Sequence, residues 1–209
     1  MENQVNKNLD HIEFETKYRI DGHLLTEFKK LIDSLPDEKK FIYVEGPDDY
    51  YVHPDMQDSF ARYRQPSHGL DNNRREVTFK IKPEGAKNNI MRKEFNWRVD
   101  STPEETIKAG IEALGYEFNF RIWKSCHIYK LDDVTLVFYT VYDTTDGKPS
   151  KHDNFLEIEV CEDKIRLGLT EDQAWDIIHK YEKVLSLLGI TPQNRLKKSL
   201  YEMYKRDIK

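Results

Sequence analysis

His11-Ile-Glu-Phe-Glu-Thr-Lys-Tyr-Arg-Ile20 alternates without interruption. Ile12, Phe14, Thr16, Tyr18 and Ile20 fall on one side, and Glu13, Glu15, Lys17 and Arg19 on the other. Side chains of a β-strand change faces at every residue, so the stretch predicts a strand with one charged face. Glu13 and Glu15 would lie roughly 7 Å apart on that face, where they repel unless a cation sits between them. The arrangement returns near the other end of the strand-rich region as Glu157-Ile-Glu159. Between the two acidic pairs stand Arg62/Arg64, Lys80/Lys82 and Arg92/Glu94. Carboxylate pairs suit Mg²⁺ or Mn²⁺, and basic pairs suit phosphate. Together they point to metal-assisted chemistry on a polyphosphate.

Working outward, the first strand ends at Asp21-Gly22, and a helix is expected over about 23–35, closed by Pro36. Strand patterns follow at 40–45, 49–53, 58–65, 75–82 and 90–99, separated by breakers such as Gly46-Pro47 and Pro83-Glu-Gly85. A second helix is predicted from Thr102-Pro-Glu-Glu105, with Thr102 and Glu105 as a capping box, ending at Gly115. Further strands are expected at about 118–131, 133–142 and 154–161. A third helix runs from near Thr170 to Gly189, and a last one covers about 192–206. With no repeats and no linker composition, residues 1–209 read as one α+β domain of about eight strands, its core at about 11–205.

Each charged pair taken alone fits an ordinary antiparallel sheet with one solvated face. The set is harder to explain that way. Charged residues are depleted in strands, and like charges on one strand face need a counter-charge. The helices must also cover the apolar face. The charged face then either meets water or closes around a polar lumen; an eight-stranded antiparallel sheet closed around a charged interior, with helices packed outside, would need both anions and cations inside it.

The 209 residues are 38% hydrophobic and 34% charged, and no apolar run reaches the length of a membrane-spanning helix. The first residues lack the apolar stretch of a secretory signal, so a soluble cytoplasmic protein is expected. Cys126 and Cys161 form neither a zinc pattern nor a disulfide framework. The net charge of -5 argues against coating nucleic acid, which depends on Lys and Arg neutralising phosphates.

In this order, the motifs resemble the CYTH superfamily, the triphosphate tunnel metalloenzymes. Glu13-x-Glu15-x-Lys17 is similar to the family's signature strand, Arg62-Tyr-Arg64 to its Arg-x-Arg strand, and Lys80-Ile-Lys82-Pro to its lysine strand. Arg92-Lys-Glu94 is similar to its Arg-x-Glu strand, and Glu157-Ile-Glu159 to its closing acidic strand. Two positions depart. Where the family carries Lys-x-Arg this chain has Lys124-Ser-Cys126, and where it often has aspartate this chain has Tyr139. Arg121 could stand in for the missing arginine only if a bulge corrected its strand parity.

The resemblance implies a tunnel in which Lys17, Arg62, Arg64, Lys80, Lys82, Arg92, Lys124 and Arg121 grip a triphosphate. Glu13, Glu15, Glu94, Glu157 and Glu159 would hold Mg²⁺ or Mn²⁺. Glu13, Glu15 and Lys17 are the residues expected to carry catalysis. The leading expectation is a metal-dependent triphosphatase acting on inorganic triphosphate or on an organic one such as ATP or thiamine triphosphate. A class IV-like adenylate cyclase is the alternative, making cyclic AMP and pyrophosphate. Hydrolysis at an RNA 5′ end and a non-catalytic polyphosphate-binding module also stay open, as do monomer and homodimer.

Overall fold

The computed structural model describes residues 11–56, 59–65, 68–69, 75–81, 91–150 and 152–207; Lys82, expected in the lumen, lies outside them. Among these, nine strands form one antiparallel sheet: β1 (His11–Ile20), β2 (Lys40–Val52), β3 (Ser59–Arg64), β4 (His68–Gly69), β5 (Glu76–Ile81), β6 (Met91–Arg98), β7 (Glu117–Lys130), β8 (Val134–Asp143) and β9 (His152–Val160). Eight run in the order β3-β5-β6-β1-β9-β8-β7-β2, and β2 pairs back onto β3, closing a barrel. The two-residue β4 adds to β2 outside the ring. The helices are α1 (Leu25–Ser34), α2 (Glu104–Ala113), α3 (Glu162–Arg166), α4 (Glu171–Leu185) and α5 (Leu200–Tyr204).

The apolar side of the opening strand faces outward. Phe14, Tyr18, Leu136, Phe138, Leu156 and Ile158 pack against Phe28 and Ile32 of α1 and against Ala174, Ile178 and Leu185 of α4. On the other flank, Ala61, Tyr63, Val77 and Phe79 receive Ile107 and Ile111 of α2. Sheet faces that would otherwise meet water are thus covered by amphipathic helices. The charged side of the alternation turns inward.

Three elements differ from the sequence expectation. β2 continues through Gly46-Pro47. The Pro47 carbonyl accepts from the Gln65 N–H at 3.2 Å, so its N–H-less nitrogen faces the β3 side, where that ladder ends. The capping box expected at Thr102 and Glu105 is absent. α2 begins at Glu104 with Pro103 as its cap residue and no side-chain capping bond, whereas Thr170 and Gln173 of α4 do form a box. The last helix is only five residues long. β6 pairs with β1 at His11–Phe14 alone, and the stretch 195–196 lies beside the later half of β1. Tyr18 bridges Arg195, and the Leu196 N–H donates to the Lys17 carbonyl at 2.7 Å. Backbone committed to that pairing cannot be helical, so α5 starts only at the Ser199/Glu202 capping box.

The C-terminal stretch is locked by a buried carboxylate. Glu182 of α4 accepts from the Tyr18 hydroxyl and from both Nε and Nη2 of Arg195, and the Arg195 guanidinium stacks on Trp175 at 4.7 Å. Arg195→Leu strands the Glu182 charge and should cost about 3 kcal/mol. For a chain of this size that is a fall in melting temperature of roughly 6–12 °C. Glu182→Gln placed in the same background should recover part of the loss in a thermal unfolding scan.

Candidate active site in the barrel lumen

The register places the charged sides of the strands in one lumen. Glu15 faces Glu159 across β1 and β9, and Lys17 faces Glu157. Glu13 faces Arg92 across β1 and β6, and Lys80 faces Glu94 across β5 and β6. They line a cavity of about 430 Å³ together with Arg62, Arg64 and Lys124. Of the residues expected to act, the structure therefore gathers Glu13, Glu15, Lys17, Arg62, Arg64, Lys80, Arg92, Glu94, Lys124, Glu157 and Glu159.

Arg121 is not among them. The irregularity between β2 and β7 falls at Tyr50/Tyr51, opposite 118–120, so it precedes Arg121 and leaves Arg121 three residues from Lys124 on the other face. Arg121 grips Asp49 on the barrel exterior with two bonds of 2.5 and 2.7 Å. The expectation that it binds substrate in the lumen is corrected accordingly.

The lumen charges divide into a neutralised set and an unsatisfied set. The Lys17 ammonium lies 2.5 Å from Glu157 and 3.6 Å from Glu15. Lys80 lies 2.5 Å from Glu13 and 3.7 Å from Glu94. Arg64 makes a fork with Asp48, both bonds 2.8 Å. Burial opposes ionisation of Glu157 and Asp48, but the cations win: Lys17 and Lys124 hold Glu157, and Arg64 and Arg62 hold Asp48, each down to about 2. Arg62 is looser. Its Nη2 donates to Thr78 at 3.1 Å, and Glu76 and Glu94 are each 3.8 Å away. Its Nε is buried with no hydrogen-bond partner among the described residues. Lys124 has neither ion pair nor hydrogen bond among them, its ammonium standing 4.1 Å over the Tyr139 ring. Burial lowers the affinity of Lys124 for its proton.

The carboxylates opposite crowd one another. Burial, joined by repulsion from neighbouring carboxylates, pushes the Glu13, Glu15 and Glu159 carboxyls up, Glu159 the furthest. Among the described residues no three His, Cys, Asp or Glu side chains are arranged as a set that could hold a metal ion. In chemistry the donors nevertheless fit a hard divalent cation, being carboxylate oxygens whose mutual repulsion such a charge would relieve.

Among the lumen residues that escaped the sequence reading of the site, three are informative. Asp48 was hidden because Gly46-Pro47 reads as a strand break; once β2 continues, parity with Ile42 and Val44 points it inward. Tyr139 stood out only as a departure, yet its hydroxyl donates to Glu157 at 2.8 Å. Cys126 stood out only as the other departure and by inward parity, and burial pushes its thiol up.

No protein-family model matches the sequence, and no curated protein matches it. Solved structures do. The PH1012 protein of Pyrococcus horikoshii OT3 is 23% identical with a TM-score of 0.68, covering 93% of this chain and 99% of its own. A candidate adenylate cyclase of Vibrio parahaemolyticus is 18% identical at 0.59, covering 92% and 97%. HpAC1 of Hippeastrum, a candidate adenylyl cyclase described as having a dominant triphosphatase activity, is 12% identical at 0.51, covering 93% and 94%. At these identities the likeness shows the fold, and that fold is consistent with the tunnel architecture the motifs resemble. No helix among the described residues is long and apolar enough to cross a membrane.

A carboxyl whose folded pKa is raised holds its proton beyond the pH at which the unfolded chain releases it. The folded state therefore loses stability as pH rises from the ordinary carboxylate range through the raised value. Glu159→Gln removes that penalty. Without divalent cations it should raise the melting temperature at pH 8, and the gain should shrink toward pH 5. A gain independent of pH would mean that Glu159 does not titrate in the window its raised pKa sets.

Proposed function

We propose that the lumen binds a triphosphate and that the protein hydrolyses it with the help of a divalent cation. One observation carries the reading: among the described residues, an arginine whose buried Nε has no hydrogen-bond partner and a lysine with no direct ion pair share a cavity with carboxylates that repel one another. A polyphosphate supplies acceptors for the first pair, and a cation relieves the second.

In this reading Arg62 gives its unused donor to a phosphate oxygen, and its planar fork fixes the phosphate's orientation. Lys124 adds a point charge, and Arg92 and Lys80 extend the cationic surface. Lys17, held between Glu15 and Glu157, stays protonated and adds charge beside the reacting phosphate. Glu13, Glu15, Glu94, Glu157 and Glu159 would hold Mg²⁺ or Mn²⁺, which supplies neutralisation of phosphate charge and activation of the attacking water. Phosphoryl transfer depends mostly on positioning and electrostatics, so the absence of an activated nucleophilic side chain is no obstacle. The candidate cyclases among the structural neighbours favour one second reading, in which a ribose hydroxyl replaces water and pyrophosphate leaves.

Incubation with inorganic triphosphate, ATP and thiamine triphosphate in Mg²⁺ or Mn²⁺, with chromatography of the products, tests both. Orthophosphate release supports the hydrolase, cyclic AMP with pyrophosphate supports the cyclase, and thermal stabilisation without product leaves a binding module. Arg62→Ala should weaken triphosphate binding roughly thirtyfold, the loss of a charge-assisted bond of about 2 kcal/mol. Glu15→Gln, which leaves Lys17 its contact with Glu157, should abolish metal-dependent turnover while the melting temperature holds or rises.

A further inference from the structure

We propose that the triphosphate this lumen takes is an organic one, its organic group seated against an apolar wall formed by Ile42, Val44, Cys126, Ile128 and Val137. The inference rests on the triphosphate reading of the cavity. The barrel interior carries an aliphatic patch beside its charges. Across β2, β7 and β8 the inward positions run Ile42–Ile128–Val137 in one row and Val44–Cys126–Tyr139 in the next. These rows continue into a cluster of Tyr50, Phe120, Ile122, Val141 and Phe155, closed by Leu200, Tyr201 and Tyr204 of α5.

Deep in that cluster the side chains are fully packed: Tyr50 stacks on Phe120 at 4.5 Å and Phe60 on Tyr201 at 4.7 Å. Toward the cavity they are not. Ile42, Val44 and Ile128 are only half-buried, and they face the same space as Arg62 and the carboxylates. Aliphatic surface left open inside a polar cavity gains nothing from water and gains from an apolar group laid on it.

One departure from the tunnel motifs, Cys126, belongs to this wall; the other, Tyr139, is its direct cross-strand partner, fully buried with its hydroxyl on Glu157. Lys124 borders the wall, two residues from Cys126 and with Gly46 across the strand. A phosphate held by Lys124 would therefore turn its esterified end toward Cys126 and Val44. Inorganic triphosphate has nothing to place there. The wall offers contact and no hydrogen bonds, so it separates organic from inorganic better than one organic group from another.

Binding of the full chain to inorganic triphosphate, ATP and thiamine triphosphate in Mg²⁺, followed by the ligand-dependent rise in melting temperature, tests this. ATP and thiamine triphosphate should each bind about tenfold more tightly than the inorganic ligand. Ile128→Ala and Val44→Ala should each shrink that preference, and Ile128→Val, which keeps most of the packing, should shrink it less. Equal or tighter binding of inorganic triphosphate to the unaltered protein, or variants that weaken all three ligands alike, would overturn the inference while leaving the triphosphate site standing. Binding of none of the three would remove both.

Discussion

Charge neutralisation inside a closed sheet is the constraint on which the rest of the structure depends. A strand such as Glu13-Phe-Glu-Thr-Lys17 has one face for water and one for a core. Closing the barrel with the charged face inward shields that face from bulk water. Each buried charge then needs an opposite charge, a ligand or a proton. Lys17 with Glu157, Lys80 with Glu13, and Arg64 with Asp48 meet that need within the protein. What is left over defines the site: Arg62 and Lys124 on one side, Glu15 and Glu159 on the other.

The exterior follows from the same choice. Once the charged residues turn inward, Phe14, Tyr18 and their cross-strand neighbours must be covered from outside. The helices α1, α2 and α4 do so, and Glu182 ties α4 to β1 and to the C-terminal stretch through Tyr18 and Arg195. That stretch takes the place beside β1 that β6 leaves open, and α5 then packs onto the apolar part of the interior. Wall, outer helices and α5 are therefore one mechanical unit around the charged lumen.

Much of this could be read from the chain. Period-two alternation located the strands of the wall, and the i, i+2 charges marked most of the lumen residues, because parity along one strand is a local property. Local patterns failed where a neighbour decided. Gly46-Pro47 reads as a break, but pairing with β7 carries β2 through it and brings Asp48 inside. Residues 195–196 carry a helical pattern, but pairing with β1 holds them extended. Arg121 has the right chemistry on the wrong face, and only the position of the β2/β7 irregularity shows that it was not corrected.

The sequence by itself determined which residues share a strand face and what charge each face carries, since 180° of side-chain alternation needs no tertiary information. The tertiary structure alone decided which of those charges cancel. Whether Lys80 meets Glu13, or Lys124 stands over the Tyr139 ring, depends on the stagger between strands distant in sequence. It also decided that the interior has an aliphatic patch. Val44, Cys126, Ile128 and Val137 come from three different strands, and they form one surface only when cross-strand register sets them side by side.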